Sequence, residues 1–459
     1  MWGALTPIAA DPTRQLSTGL DWESTQGTDI AGGSHGSGWA PRDLGSTPPP
    51  GLLRLDLPRR AKPSPTDRLE HAIVRTAFVS TYPPRRCGIA TFTSDLSRVT
   101  GDHEIVALHP PGQASPYPLE VHHRIRRDEP ADYARIARSL DACVDVVSLQ
   151  HEYGIWGGDD GESVLDFVGA LDVPAVATLH TVLREPSPRQ HAILVELVKR
   201  VRAAVVMSRS AATLLTSVYG VDPTRLDIIP HGVPDLPMVH SETTKPGLGL
   251  GGRDVILSFG LLGPGKGYEL ALEALPAVVA EHPAVCYVIV GATHPDLVRL
   301  QGEAYRASLI DRVEKLGLTD HVQFVDRFVG RVELMRWLES ADVFVTPYPN
   351  LDQIVSGTLS YAMGAGRAIV STPYAYATEL LADGRGVLVP PGSPEALAAA
   401  LNGLLKDDEL SGAFGRRAYE HSRRMVWHEV GTDYRRLFAR IVADVQTPVT
   451  STRLAAVIA

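Results

Sequence analysis

Residues 254–267 read DVILSFGLLGPGKG, an apolar run that breaks into a loop of four glycines, one proline and one lysine. Val255, Ile256 and Leu257 suit a strand buried on both faces of a parallel sheet. The glycines allow positive φ and close approach of the backbone to a ligand. The periodicity of Tyr268, Leu270, Leu272 and Leu275 predicts a helix whose free amides and positive dipole end point back at the loop. Strand, glycine loop, lysine and helix together make a phosphate cradle. Gly260, Gly265 and Lys266 almost fit the P-loop pattern, but the next residue is Gly267, which has no hydroxyl to hold Mg²⁺. A nucleotide-hydrolase reading loses its metal there, whereas phosphate binding by amides and Lys266 needs none. The plain alternative is a glycine turn carrying a solvated lysine.

The chain has 459 residues, 44% of them hydrophobic and 21% charged, enough for two or three domains with sizeable cores. A net charge of −9 argues against nucleic-acid binding through bulk positive charge. No apolar run approaches the roughly 18–20 residues of a membrane span, and the N-terminus lacks the basic-then-apolar pattern of a secretory signal. The three cysteines, Cys87, Cys143 and Cys286, form no CxxC pair and are odd in number, so reduced thiols in the cytoplasm are the simplest expectation.

Residues 1–70 hold nine glycines and nine prolines beside many Ser, Thr and Asp, and read as a disordered tail or an over-long start. Strands are expected at 75–80, 104–108, 144–149, 175–179 and 203–207, with helices such as 92–99 and 191–202 between them. This alternation predicts a parallel sheet with right-handed crossovers over residues 71–240. Residues 243–252, with PGLGLGG, read as a loose linker, set at 241–252. Strands then recur at 255–259, 286–290, 322–324, 343–346, 368–371 and 386–389, within a second unit at 253–426. Its helices are expected at 268–280, 304–316, 332–341, 357–365 and 394–405. The fold class is therefore α/β, with two Rossmann-like doubly wound domains facing a cleft at the carboxyl ends of their strands. An amphipathic helix at 427–445 closes the pattern.

Several residues could carry chemistry. Gly88, with Arg85 and Arg86, follows the first strand, although a surface loop with solvated arginines explains it equally well. His180 ends a central strand on the cleft side, and His151 and Glu152 hold the same kind of place. Tyr153 and Trp156, in the stretch HEYGIWGG, suit sugar stacking. Ser356, Gly357 and Thr358 open a helix and offer amides and hydroxyls as a second anion site, although N-capping by Ser356 is the simpler role. No His or Cys spacing suits a metal, so none is expected.

Together these residues resemble the family 4 glycosyltransferases, retaining enzymes of the GT-B fold. The resemblance covers residues 74–445. It is carried by IPHGV (229–233), the loop 258–267, YAMGAG (361–366) and ELLADGRGVLVPPGSPEAL (379–397). It implies an acceptor-binding first half, a second half that binds a nucleotide-sugar donor, and a terminal helix crossing back to brace the first half. It also implies that Lys266 neutralises the leaving diphosphate and that His180 contacts the donor sugar. Gly88, Gly263, Gly265, Arg327, Gln353, Ser356, Gly357, Thr358 and Tyr361 would hold the donor. The acceptor would meet His151, Glu152, Tyr153 and Trp156. The implied activity is metal-independent transfer of a hexose to a saccharide or lipid-linked acceptor.

Three positions depart from the family pattern. Leu261 stands where an arginine is usual, and Gln353 and Tyr361 stand where two glutamates are usual. A donor grip shifted to Asp352 or Glu379 would accommodate this. So would a non-catalytic nucleotide-sugar-binding partner or sensor, which is the alternative reading. An epimerase on the same architecture would need no acceptor. A nicotinamide dehydrogenase lacks its G-x-G-x-x-G followed by a ribose-binding acid. Over 71–240 acidic residues outnumber basic ones, so charge gives no support for docking to an anionic membrane, although many family members act on lipid-linked acceptors.

Overall fold

The computed structural model describes residues 74–112 and 116–446, so the expected N-terminal tail lies outside the described residues. Two all-parallel sheets carry the architecture. The first has seven strands in the order β3-β2-β1-β4-β5-β6-β7. These are β1 Thr76–Ser80, β2 His103–His109, β3 Val121–Arg126, β4 Val146–His151, β5 Ala175–Leu179, β6 Ala203–Val206 and β7 Leu226–Ile228. The second has six strands in the order β10-β9-β8-β11-β12-β13. These are β8 Asp254–Phe259, β9 Val285–Val290, β10 Val322–Val325, β11 Val343–Thr346, β12 Ala368–Ser371 and β13 Val387–Leu388.

In both sheets the central strands are almost entirely buried, which is why they read as continuous aliphatic runs. The edge strands were harder to read. β3 (VHHRIR) alternates exposed residues with half-buried ones and a single buried Ile125, and β7 is three residues long, so neither resembles the buried runs. Strand order reverses between β1 and β4 in one sheet and between β8 and β11 in the other. The loops leaving those strands are where a doubly wound sheet opens a crevice for ligand.

The helix Trp427–Gln446 crosses from the second half onto the first. Tyr434 shares a 2.9 Å hydroxyl hydrogen bond with Thr178 on β5, Phe438 stands edge-on to Phe78, and Arg440 pairs with Asp227 at 2.8 Å. The stretch read as a loose linker is anchored instead. It folds into 3-10 turns at Ser241–Thr243 and Lys245–Leu248. The buried Lys245 ammonium lies 2.7 Å from Asp342 and 2.5 Å from Glu242. The glycines allow these tight turns, and the ion pairs compensate the buried charge.

Candidate active site

The loop after β8 depends on glycine. Gly267 has φ +67°, and a Cβ there would fall 1.9 Å from the Pro347 carbonyl oxygen. Gly267 also begins the helix Tyr268–Glu281 without any side-chain cap, so the helix presents bare amides to the loop. Pro264–Lys266 forms a 3-10 turn that places the Lys266 ammonium 4.4 Å above the Tyr348 ring, a cation–π contact. The Tyr348 hydroxyl is 2.8 Å from Thr358 Oγ1, which is 3.1 Å from Ser356 Oγ. The two expected anion sites therefore adjoin at the β8/β11 switch point. Gly260 and Thr358 confirm the closeness: a Cβ on Gly260 would lie 3.5 Å from Thr358 Cγ2. Ser356 caps the helix Gly357–Gly364, its hydroxyl oxygen accepting from Leu359 N at 3.3 Å. Gly263 and Gly265 lie in the same loop, and Gly88 opens the helix Gly88–Thr100 after the first sheet's switch-point loop.

The first sheet contributes a wall of histidines. His180 follows β5, with Nε2 2.8 Å from Gln150 Oε1 and its ring edge-on to Phe92. The Gln150 side chain thus holds the His180 ring through this nitrogen. Burial, then the neighbouring His231 and His151, lower its pKa to about 3, so the ring is neutral at physiological pH. His231, from IPHGV, bonds through Nδ1 to the Gly232 carbonyl at 2.8 Å. Its other nitrogen faces the second sheet's helix start, where a Cβ on Gly357 would approach it to 2.9 Å. Gly357 is therefore fixed by packing as well as by any ligand. Glu152 accepts a hydrogen bond from the Thr181 hydroxyl, and burial raises its pKa.

Three expected acceptor contacts are corrected. His151 is 0% exposed, because β4 runs through it and turns its ring into the interior against Tyr153. Trp156 is 2% exposed, with Nε1 donating to the Gln150 carbonyl at 3.0 Å and its ring between Tyr133 and Phe167. Tyr153 is also buried and donates to the Gln190 carbonyl at 3.3 Å. The aromatic content of HEYGIWGG serves the core, where a large ring gains more than on an open loop.

Donor-side expectations change in detail. Gln353 turns its amide onto the Val355 carbonyl at 2.8 Å, and Arg327 pairs with Glu333 at the end of edge strand β10. Tyr361 is 7% exposed, and its hydroxyl donates across the halves to Asp95 Oδ2 at 3.2 Å. Asp95, buried on the first half's helix Gly88–Thr100, also pairs with Arg331 of the second half. Sequence reading missed this clasp, because a lone aspartate on an apolar helix face gives no clue to a partner more than 200 residues away. Asp352 pairs with Arg184 at 2.8 Å. Glu379 accepts from Arg209 N and Ser210 N at 2.9 Å, capping the helix Arg209–Tyr219 from the opposite half. Both acids are therefore engaged in ties between the halves.

Two family models match, in chain order. "Glycosyltransferase Family 4" covers residues 88–235 and "Glycosyl transferases group 1" covers residues 241–421. The chain belongs to the group 1 glycosyltransferases, family 4. It is a glycosyltransferase of GT-B architecture. Among its relatives, D-inositol 3-phosphate glycosyltransferase of Jonesia denitrificans is 26% identical over 301 residues, which is 60% of this chain and 69% of that one. Phosphatidyl-myo-inositol mannosyltransferase of Mycolicibacterium smegmatis is 30% identical over 278 residues, covering 59% and 66%. The chain thus matches about two thirds of the length of these curated relatives. Anabaena Alr3699/HepE, solved with UDP and glucose, superposes with a TM-score of 0.66 at 15% identity, covering 80% of this chain and all of that one. Sucrose-phosphate synthase from Thermosynechococcus elongatus gives 0.66 at 16% identity, covering 81% and 100%. Among the described residues, no helix of this glycosyltransferase is long and apolar enough to cross a membrane.

Proposed function

We propose that this glycosyltransferase moves a hexose from a nucleotide-diphosphate sugar to a saccharide or lipid-linked acceptor, with retention and without a metal ion. The observation that carries the reading is the convergence of Lys266, Tyr348, Thr358 and Ser356 at the β8/β11 switch point, beside two uncapped or hydroxyl-capped helix starts. Such a constellation suits a departing diphosphate. Support also comes from Alr3699/HepE, which was solved with UDP and with UDP-glucose. The relatives named for inositol phosphate and phosphatidyl-myo-inositol point to phosphorylated or lipid-bearing acceptors.

In the proposed step the bond between the anomeric carbon and the diphosphate oxygen breaks, and its electron pair stays on that oxygen. The acceptor oxygen attacks from the same face, and its proton passes to the departing diphosphate. Lys266 and the amides of the two helix starts stabilise the developing charge. Neutral His180, fixed by Gln150, lines the donor sugar on the opposite wall. The three described cysteines are free, which suits a reducing compartment such as the cytoplasm.

The test is a thermal-shift panel of UDP-, GDP- and ADP-sugars, followed by NMR of the product anomer. A ligand at 100 times its Kd adds about 2.7 kcal/mol of stability, so the preferred base stands out. Inversion at the anomeric carbon, or no stabilisation by any donor, would count against the proposal.

A further inference from the structure

Leu261 leaves Lys266 as the only cation of the glycine loop, yet a diphosphate leaving group carries more than one negative charge. The loop that leaves β1, at the first sheet's own switch point, faces this problem from the other half. It is folded by its own backbone hydrogen bonds: Arg85 N donates to the Tyr82 carbonyl and Cys87 N to the Arg85 carbonyl, both at 3.1 Å. The Tyr82 ring is buried and its hydroxyl donates to Glu120 at 2.5 Å. Within this loop the neighbouring arginines differ. Arg86 is exposed, whereas Arg85 is half-buried, and its Nη1 is shielded from solvent with no protein acceptor. A charged donor withdrawn from water in this way calls for an anionic oxygen.

The helix that this loop leads into, Gly88–Thr100, lies against the second half: its Phe92 ring is 5.1 Å from His231, whose other nitrogen faces the Gly357 helix start, and its Asp95 accepts from Tyr361. The His294 backbone N donates to the Leu262 carbonyl at 2.9 Å, so this residue sits against the glycine loop itself. Its ring is held below its ordinary pKa, chiefly by burial, with Asp296 opposing and the positive charges of Arg85 and Lys266 both adding to the depression. Two cations, one from each half, therefore act on the same residue beside the glycine loop.

We propose that Arg85 reaches across the cleft to the donor diphosphate and supplies, with Lys266, the second positive charge on the leaving group. This rests on the donor reading given above. It makes the diphosphate site complete only when both halves contribute, so that catalysis and closure of the cleft depend on one another. The guanidinium fork suits two oxygens of one phosphate, which an ammonium cannot match.

The experiment uses the full chain in four forms, Arg85→Ala, Arg85→Lys, Arg86→Ala and Lys266→Ala, each checked by melting temperature. Sugar transfer is measured with the best donor of the panel. Calorimetry compares UDP or GDP with the corresponding nucleoside. Arg85→Ala is expected to lose roughly 10²- to 10³-fold in kcat, as for removal of one preorganised charge donor. Its affinity for the nucleoside diphosphate should fall while nucleoside affinity holds, and Arg85→Lys should recover part of the rate. Arg86→Ala should keep near-normal transfer. Near-normal kcat in Arg85→Ala alongside a damaged Lys266→Ala would overturn this inference and leave the donor reading standing. Near-normal rates in both would overturn the donor reading itself. An equal loss in Arg86→Ala would overturn the assignment to Arg85. If Arg85→Ala does not fold, Arg85→Lys decides: a fully normal rate in that variant overturns the fork geometry claimed here.

Discussion

Tyr361→Phe deletes a single hydroxyl, the one that donates to Asp95 across the two halves at 3.2 Å. The acceptor is a buried carboxylate, so the bond belongs to the charged class, which contributes about 1.5–3 kcal/mol. Its length exceeds the roughly 2.5–2.7 Å of a strong bond from hydroxyl to carboxylate, which places it at the low end, about 1.5 kcal/mol. Asp95→Ala does more, because it also strips Arg331 of its partner. The Arg331 side chain is 44% exposed and water replaces part of that loss, so the expected cost is about 3 kcal/mol, the low end for breaking a buried pair. The double-mutant cycle isolates the bond itself. Urea unfolding of wild type, both single variants and the double variant should give a coupling of about 1–1.5 kcal/mol. At about 1.3 °C per kcal/mol for a fold of this size, Tyr361→Phe alone should melt about 2 °C lower. A coupling below about 0.3 kcal/mol would mean that the two side chains act independently, and the clasp as described would be wrong.

Further outcomes follow from the same geometry. Gly267→Ala should destabilise the chain by more than the roughly 1–2 kcal/mol of a left-handed alanine, because its Cβ would also meet the Pro347 carbonyl at 1.9 Å. Donor-induced thermal shifts should vanish with it, whereas an unchanged donor response would separate the loop from binding. Glu379→Ala should lose about 1–2 kcal/mol as a cap on the helix Arg209–Tyr219, read as a lower urea midpoint. Burial lowers His151 and His231 to about 4 and His180 to about 3, from an ordinary 6.5. All three are neutral when folded, while the unfolded chain takes up protons as pH falls below 6.5. Stability should therefore be full above about pH 6.5 and decline between there and pH 4, by at most about 4 kcal/mol per pH unit if all three contribute. Urea midpoints at pH 7 and pH 5 check this, and a flat profile would contradict the burial of these rings.

Much of the fold was legible because buried parallel strands leave unbroken aliphatic runs such as VILSF and VCYVIV, while glycines and strand-end polar residues mark the switch points. The short or half-exposed edge strands β3 and β7 leave no such run. The cleft was legible only where local chemistry is distinctive. Lys266 and Ser356–Thr358 announce themselves by glycine and helix-start patterns, and the structure brings them together through Tyr348, a residue with no local signal. Aromatic content misled in HEYGIWGG, since the same rings suit sugar stacking and core packing. Tyr361 and Glu379 take their meaning from partners in the opposite half, Asp95 and the start of the helix Arg209–Tyr219. Pairings at such sequence separation are set by tertiary packing alone.

The rate of sugar transfer by Lys266→Ala tests most directly the claim that residues 254–267 grip a leaving diphosphate. With melting temperature and nucleoside binding near wild type, kcat should fall roughly 10²- to 10³-fold. Transfer within about threefold of wild type, or less than about 0.7 kcal/mol of barrier, would contradict it.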